Sequence, residues 1–178
     1  MRIIGGKFKG RKFDPPAGKW PTRPTTDFAK EGLFNILTNV FDFEKIAVLD
    51  LFGGSGSIAY ELVSRGCSQV TYVDNFYPCV AYVKKTKAVL EIQEEIKVVK
   101  SDAFKFIEKA TSSFDLIFAD PPYAHARLPK LPDMIFDNNL LKEGGWFILE
   151  HDRNANFEQH PRFFRQQKYG NNIFSFFK

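Results

Sequence analysis

From residue 45 onward the chain alternates between two hydrophobic rhythms. Compact apolar runs at 46–52, 69–74, 96–100, 114–119 and 145–150 read as buried strands. Between them lie stretches with helical spacing at 58–64, 78–90, 103–110 and 131–141, punctuated by Gly66 and by Pro78 in a first turn. Such alternation predicts parallel strands joined by right-handed crossovers. Two final strands, 163–168 and 173–177, are separated by about four residues around Tyr169 and Gly170, so they must pair antiparallel. Ahead of the first strand, Phe28, Leu33, Phe34, Ile36, Leu37 and Val40 form a helical apolar stripe. It is capped by Thr25 or Thr26 and ends near Asn39. The first 24 residues break into short apolar pieces separated by Gly and Pro, as in a small hairpin or irregular extension. The expectation is an α/β fold, a Rossmann-like, mostly parallel sheet with an antiparallel last strand. Residues 1–24 form a basic extension and 25–178 the main domain.

Charge sharpens that division. The net charge of +4 is uneven: residues 1–30 carry eight cations against two anions, and the remainder sums to −2. A basic segment in which cations alternate with Gly and Phe reads as an arm for a polyanion. Lys7, Lys9, Arg11 and Arg23, with Thr25, are its candidate contacts. The 20 phenylalanines are mostly core. Two isolated cysteines, Cys67 and Cys79, exclude a disulfide framework or a zinc site. No signal peptide or membrane-spanning run is visible. A cytoplasmic protein with no metal and no membrane partner is expected.

The chemistry lies at the strand ends. Asp50, Asp74, Asp102 and Asp120 follow the first four strands, at the edge where open α/β sheets bind ligands. Any one of them could be a helix cap or turn former; four in register suit a cationic ligand carrying a ribose and an amine. After Asp50 and Phe52 comes a glycine loop containing Gly54 and Gly56. Its G-x-G-x-x-A pattern would also fit a nicotinamide dinucleotide. Asp50, however, would repel a pyrophosphate, and no second mononucleotide-binding half follows. S-adenosylmethionine has the cation, the ribose and the adenine, with Asn75 and Ala103 beside the second and third carboxylates. Asp120-Pro121-Pro122-Tyr123 then places a carboxylate, rigid backbone carbonyls and an aromatic ring at the end of the fourth strand. That set suits a flat ring bearing an exocyclic nitrogen.

These residues resemble known motifs. Asp50-x-Phe52-x-Gly54-x-Gly56 is similar to the cofactor loop of class I S-adenosylmethionine-dependent methyltransferases, and Asp120-Pro121-Pro122-Tyr123 to the signature of nitrogen methylators. Arg2-Ile3-Ile4-Gly5-Gly6, Phe8, Gly10-Arg11, Arg23-Pro24-Thr25 and the stretch from Glu31 to Leu37 resemble the RsmD family over nearly the whole chain. The resemblance implies a seven-stranded methyltransferase sheet and methylation of N2 of a guanine in small-subunit (16S) ribosomal RNA, naked or in an assembling subunit. It implies catalytic roles for Asp120, Pro121, Pro122 and Tyr123. Gly53 stands where that family usually has Ala, and Asp74 where Glu is frequent; both read as harmless changes. A DNA amine methyltransferase would normally need a target-recognition domain for which the chain has no room. A glutamine methyltransferase usually has Asn at position 120. An RNA-binding factor on an inactive scaffold is the alternative of a different class.

Overall fold

The computed structural model describes residues 1–16, 20 and 26–178. Arg23 and Thr25 lie outside the described residues. Among those described, seven strands form one sheet in the order β3-β2-β1-β4-β5-β7-β6. Strands β1 (Ala47–Leu51), β2 (Gln69–Asp74), β3 (Ile96–Lys100), β4 (Phe114–Ala119) and β5 (Leu141–His151) run parallel. β7 (Asn172–Phe177) lies antiparallel between β5 and β6 (Phe163–Tyr169). The sheet is the expected one.

Helices α1 (Asp27–Thr38), α2 (Ser57–Ser64) and α3 (Tyr77–Val89) contribute to one core layer, and α4 (Ala103–Lys109) and α5 (Leu131–Asp137) to the other. Period-2 alternation of the strands divides them between these layers. Val48, Tyr72, Phe118 and Ile148 belong to the first; Leu49, Val73, Ala119 and Leu149 to the second. Both cysteines are buried and free.

The structure corrects three local readings. The predicted helix 131–141 ends at Asp137, because Asn138 caps it and Asn139 adopts a left-handed φ of 53°. Leu141 already pairs with Phe114, so β5 is longer than the 145–150 run suggested. The stripe of α1 buries Leu33, Phe34 and Leu37, but Phe28 and Val40 are exposed. Thr26, not Thr25, is the N-cap; its hydroxyl accepts from the Ala29 N–H at 3.2 Å.

The N-terminal segment is a hairpin laid along α2. Ile3 N–H donates to Arg11 O, and Phe13 N–H to Met1 O. Ile3 is buried in the main core. The buried Glu61 carboxylate accepts from the N–H groups of Ile4 and Gly5, each at 2.8 Å, and from Arg65 at 2.9 Å. Lys30, equally buried, stands 3.5 Å from Glu61 and donates to Arg2 O and Ser57 Oγ. Burial pulls its ammonium below the usual lysine range.

Candidate functional site

The glycine loop between β1 and α2 holds three left-handed residues: Phe52 at φ 57°, Gly54 at 50° and Gly56 at 81°. A bulky side chain in that region is strained, a condition that clusters at functional sites. The loop is fastened on both sides. Gly53 N–H donates to Val73 O, Gly54 N–H to Asp74 Oδ2 at 2.8 Å, and the Tyr72 hydroxyl donates to Gly54 O at 2.7 Å. Gly53 is therefore not interchangeable with Ala: an added Cβ would stand 2.4 Å from the buried Tyr72 ring. Nothing in the spacing of the loop signals this contact, which joins residues 19 apart.

Strand alternation puts Asp50, Asp74, Asp120 and Glu150 on the parity of the first core layer. Asp50 is 1% exposed, and its Oδ2 has no hydrogen-bond partner among the described residues. Burial, then the charge of Asp74, pushes its carboxyl up to about 8. The N–H of Asp120 reaches Leu51 O, extending the β1–β4 ladder, and β4–β5 register sets Asp120 next to Glu150. Asp120 is half-buried. Burial first, then Glu150 and Asp50, raises its carboxyl well above the ordinary range.

Tyr123 is 39% exposed and its hydroxyl donates to Glu150 at 3.1 Å. The Asn172 amide donates to the same oxygen. Burial, followed by Glu150, raises the phenol, which stays protonated. Pro121 is buried and Pro122 exposed.

The remaining expected cofactor residues are differently engaged. Asp74 accepts from Gly54 and Phe76 N–H groups, tying the glycine loop to the start of α3. Asp102 caps α4 through a bond from Lys105 N–H at 3.0 Å, and Ala103 is buried behind it. Asn75 is exposed between β2 and α3. Phe104, in the first turn of α4, contacts Phe52 edge-on and stacks on His125 at 4.8 Å.

The structure does not bring Lys7, Lys9 and Arg11 to this edge. Lys7 N–H bonds Ser64 O at the end of α2, and its ammonium lies 3.9 Å from Glu95, just before β3. That is the amino end of the strands, about 12 Å or more from the glycine loop along an eight-residue helix. Lys7 and Arg11 both lie over the Phe8 ring, and Lys9 is exposed. Glu150, Asn172, Phe104 and His125 went unread in the sequence as site residues. Glu150 alone had a usable signal, a fifth carboxylate at a strand end.

Residues 1–178 match the family described as conserved hypothetical protein 95. The chain belongs to this family. YlbH of Bacillus subtilis is 38% identical over 156 residues, covering 86% of this chain and 83% of that protein. Ribosomal RNA small subunit methyltransferase D of Escherichia coli K12 is 31% identical over 150 residues, covering 84% and 74%. The solved structure of yhhF from Escherichia coli superimposes with a TM-score of 0.86 at 28% identity, covering 99% of this chain and 96% of that one. The conserved hypothetical protein 95 assignment spans the hairpin and the sheet together.

Proposed function

We propose that the chain is an S-adenosylmethionine-dependent methyltransferase acting on N2 of a guanine in small-subunit (16S) ribosomal RNA. The observation that carries this is the row Asp74, Asp50, Asp120, Glu150, three of them buried and Asp120 half-buried, beside a strained glycine loop. Asp50 Oδ2, buried without a partner, fits a cationic ligand. Asp50, Phe52, Gly54, Gly56 and Asp74 would hold the cofactor, with Asn75, Asp102 and Ala103 at its adenosine end. When bound, it supplies the electrophilic methyl group.

The chain's own residues handle the acceptor. The lone pair of an exocyclic amine is delocalised into its ring. Asp120 and the carbonyl of Pro121 can each accept one N–H, drawing the nitrogen toward tetrahedral geometry. A carboxyl with elevated proton affinity is also suited to take the proton that nitrogen must release, at an Asp120 oxygen. Pro122 stiffens the turn. Tyr123, its hydroxyl tethered to Glu150, offers a ring face for a base taken out of its stack.

The hairpin's Lys7, Lys9 and Arg11 lie away from Asp120, toward the amino end of the strands, and are read with Arg23 and Thr25 as phosphate contacts of an extended footprint. Residues 1–24 form the RNA-contacting extension and 25–178 the catalytic domain. A folded ribosomal subunit or assembly intermediate suits such a footprint better than a short oligonucleotide. Among the described residues no helix is long and apolar enough to cross a membrane, which accords with a cytoplasmic enzyme.

The test is Asp120→Ala, assayed by mass spectrometry of ribosomal RNA after incubation with S-adenosylmethionine. The wild-type chain adds one methyl to one guanine. The variant loses at least 100-fold in rate, the scale of a positioned acid–base group, while keeping cofactor affinity. Undiminished turnover in the variant removes Asp120 from the chemistry.

A further inference from the structure

The groove between α1 and β6 is unaccounted for by the methyl-transfer site. Its volume is about 700 Å³, and Phe28, Glu31, Gly32, Asn35, Arg165 and Tyr169 are among its lining residues. Phe28 is 68% exposed in the first turn of α1, where burial of the helix is met by Leu33, Phe34 and Leu37 instead. It meets Tyr169 edge-on, with centroids 5.6 Å apart and planes at 84°. Tyr169 in turn packs onto Gly32. A Cβ there would lie 2.2 Å from the ring, so this helix carries a glycine in its interior to seat the tyrosine.

The groove is linked to the proposed catalytic rim by a chain of contacts. Tyr169 opens the turn to Asn172; Asn172 donates to Glu150, and Glu150 accepts from Tyr123. From Tyr123 the contacts thus run through Glu150 and Asn172 to Tyr169 and then to Phe28.

We propose that this groove seats the single-stranded RNA flanking the methylated base, with Phe28 as the stacking platform. The proposal rests on the reading above of an RNA methyltransferase. Base–aromatic stacking tolerates any sequence, and an exposed ring beside a target-base site serves it. Arg165 is exposed and available to a phosphate. Glu31, an acceptor only, faces away from phosphate chemistry and suits an amine on a base edge. Asn35 adds a donor and an acceptor. A volume of this size accommodates a nucleotide.

The experiment compares wild type, Phe28→Ala and Phe28→Trp as full chains. Binding of a fluorescein-labelled single-stranded RNA pentamer is read by anisotropy, and methylation kinetics are read on small ribosomal subunits. Phe28→Ala is expected to weaken pentamer binding and raise the KM for subunits by about 5- to 100-fold. Cofactor affinity and kcat should stay near wild type, and Phe28→Trp should restore binding. Wild-type affinity and KM in Phe28→Ala overturn the proposal. So does a Phe28-dependent dimer in sedimentation, which would assign the face to a second copy of the chain. If wild type transfers no methyl but Phe28→Ala still loses pentamer affinity, the groove stands and the methyltransferase reading falls.

Discussion

Gly53→Ala adds one methyl group at a point where the structure has no space for it. The new Cβ would stand 2.4 Å from two carbons of the Tyr72 ring and 3.1 Å from Asp50 Oδ2. Tyr72 is fully buried in β2, and its hydroxyl holds Gly54 O at 2.7 Å. The ring can yield only by giving up that bond. Overpacking a tight site costs about 1–3 kcal/mol, and the lost hydrogen bond adds about 1 kcal/mol. The expected loss is therefore roughly 2–4 kcal/mol, with the glycine loop displaced at the place proposed to hold the cofactor. Urea denaturation measures the first effect and titration calorimetry with S-adenosylmethionine the second, where a drop of about tenfold or more is expected, equivalent to ~1.4 kcal/mol. Tyr72→Val opens the space, so the double variant should be less damaged than the sum of the single ones by at least ~1 kcal/mol. Additive losses, or a Gly53→Ala chain indistinguishable from wild type, would refute the steric argument.

Two further outcomes follow from the buried charges. Asp50 holds its proton up to about pH 8 in the fold but releases it near 3.8 when unfolded, so the folded state binds more protons between those values. Its contribution is complete below pH 4 and is lost as pH rises through 8, at up to ~1.4 kcal/mol per unit. Thermal denaturation of the cofactor-free chain from pH 5 to 9 should show declining stability that flattens in Asp50→Asn; parallel profiles would exclude Asp50 as the source. Glu61→Ala leaves Lys30 buried without its ion pair and the N–H groups of Ile4 and Gly5 without an acceptor. A loss of about 3–5 kcal/mol in chemical denaturation is expected, and a loss under 1 kcal/mol would mean the hairpin is held elsewhere.

The sheet was legible because buried parallel strands read as unbroken apolar runs and their helices begin and end on Gly, Pro and capping residues. The short turn at Tyr169 to Asn172 was enough to make the last two strands antiparallel. The reading failed where one apolar residue can serve two elements. Leu140 and Leu141 extend the spacing of α5 as readily as they open β5, and only the left-handed Asn139 separates them. Phe28 was misassigned because periodicity gives a face but not its partner. In the site, Asp50, Asp120 and the glycine loop could be read from their position after apolar runs. The cap made by Asp102 is local, a bond from Lys105 N–H, and is one of the readings its position allows. The Tyr72 contact of Gly53 and the direction of the hairpin along α2 could not be read. Each depends on a tertiary contact between residues far apart in sequence.

On the function proposed above, the buried carboxylates also predict an order of binding, the cation before the acceptor. Asp50 is raised by burial and by Asp74, and Asp120 by burial, Glu150 and Asp50. Each therefore responds to the charge state of its neighbour on the adjacent strand, Glu150 level with Asp120 and Asp50 two positions back in register from both Asp74 and Asp120. In the empty site, burial and these neighbours favour the protonated forms of Asp50 and Asp120, and a protonated carboxyl is a poorer acceptor for an amine N–H. Positive charge placed against Asp50 favours its ionised form directly. The same charge offsets the repulsion that an ionised Asp50 would exert on Asp120. Asp120 is then free to ionise and accept from the exocyclic nitrogen. On the proposed reading, the raised carboxyls of Asp50 and Asp120, unfavourable as anions in the empty protein, thus become, once the cation is seated, the pair that holds the cation and orients the nitrogen.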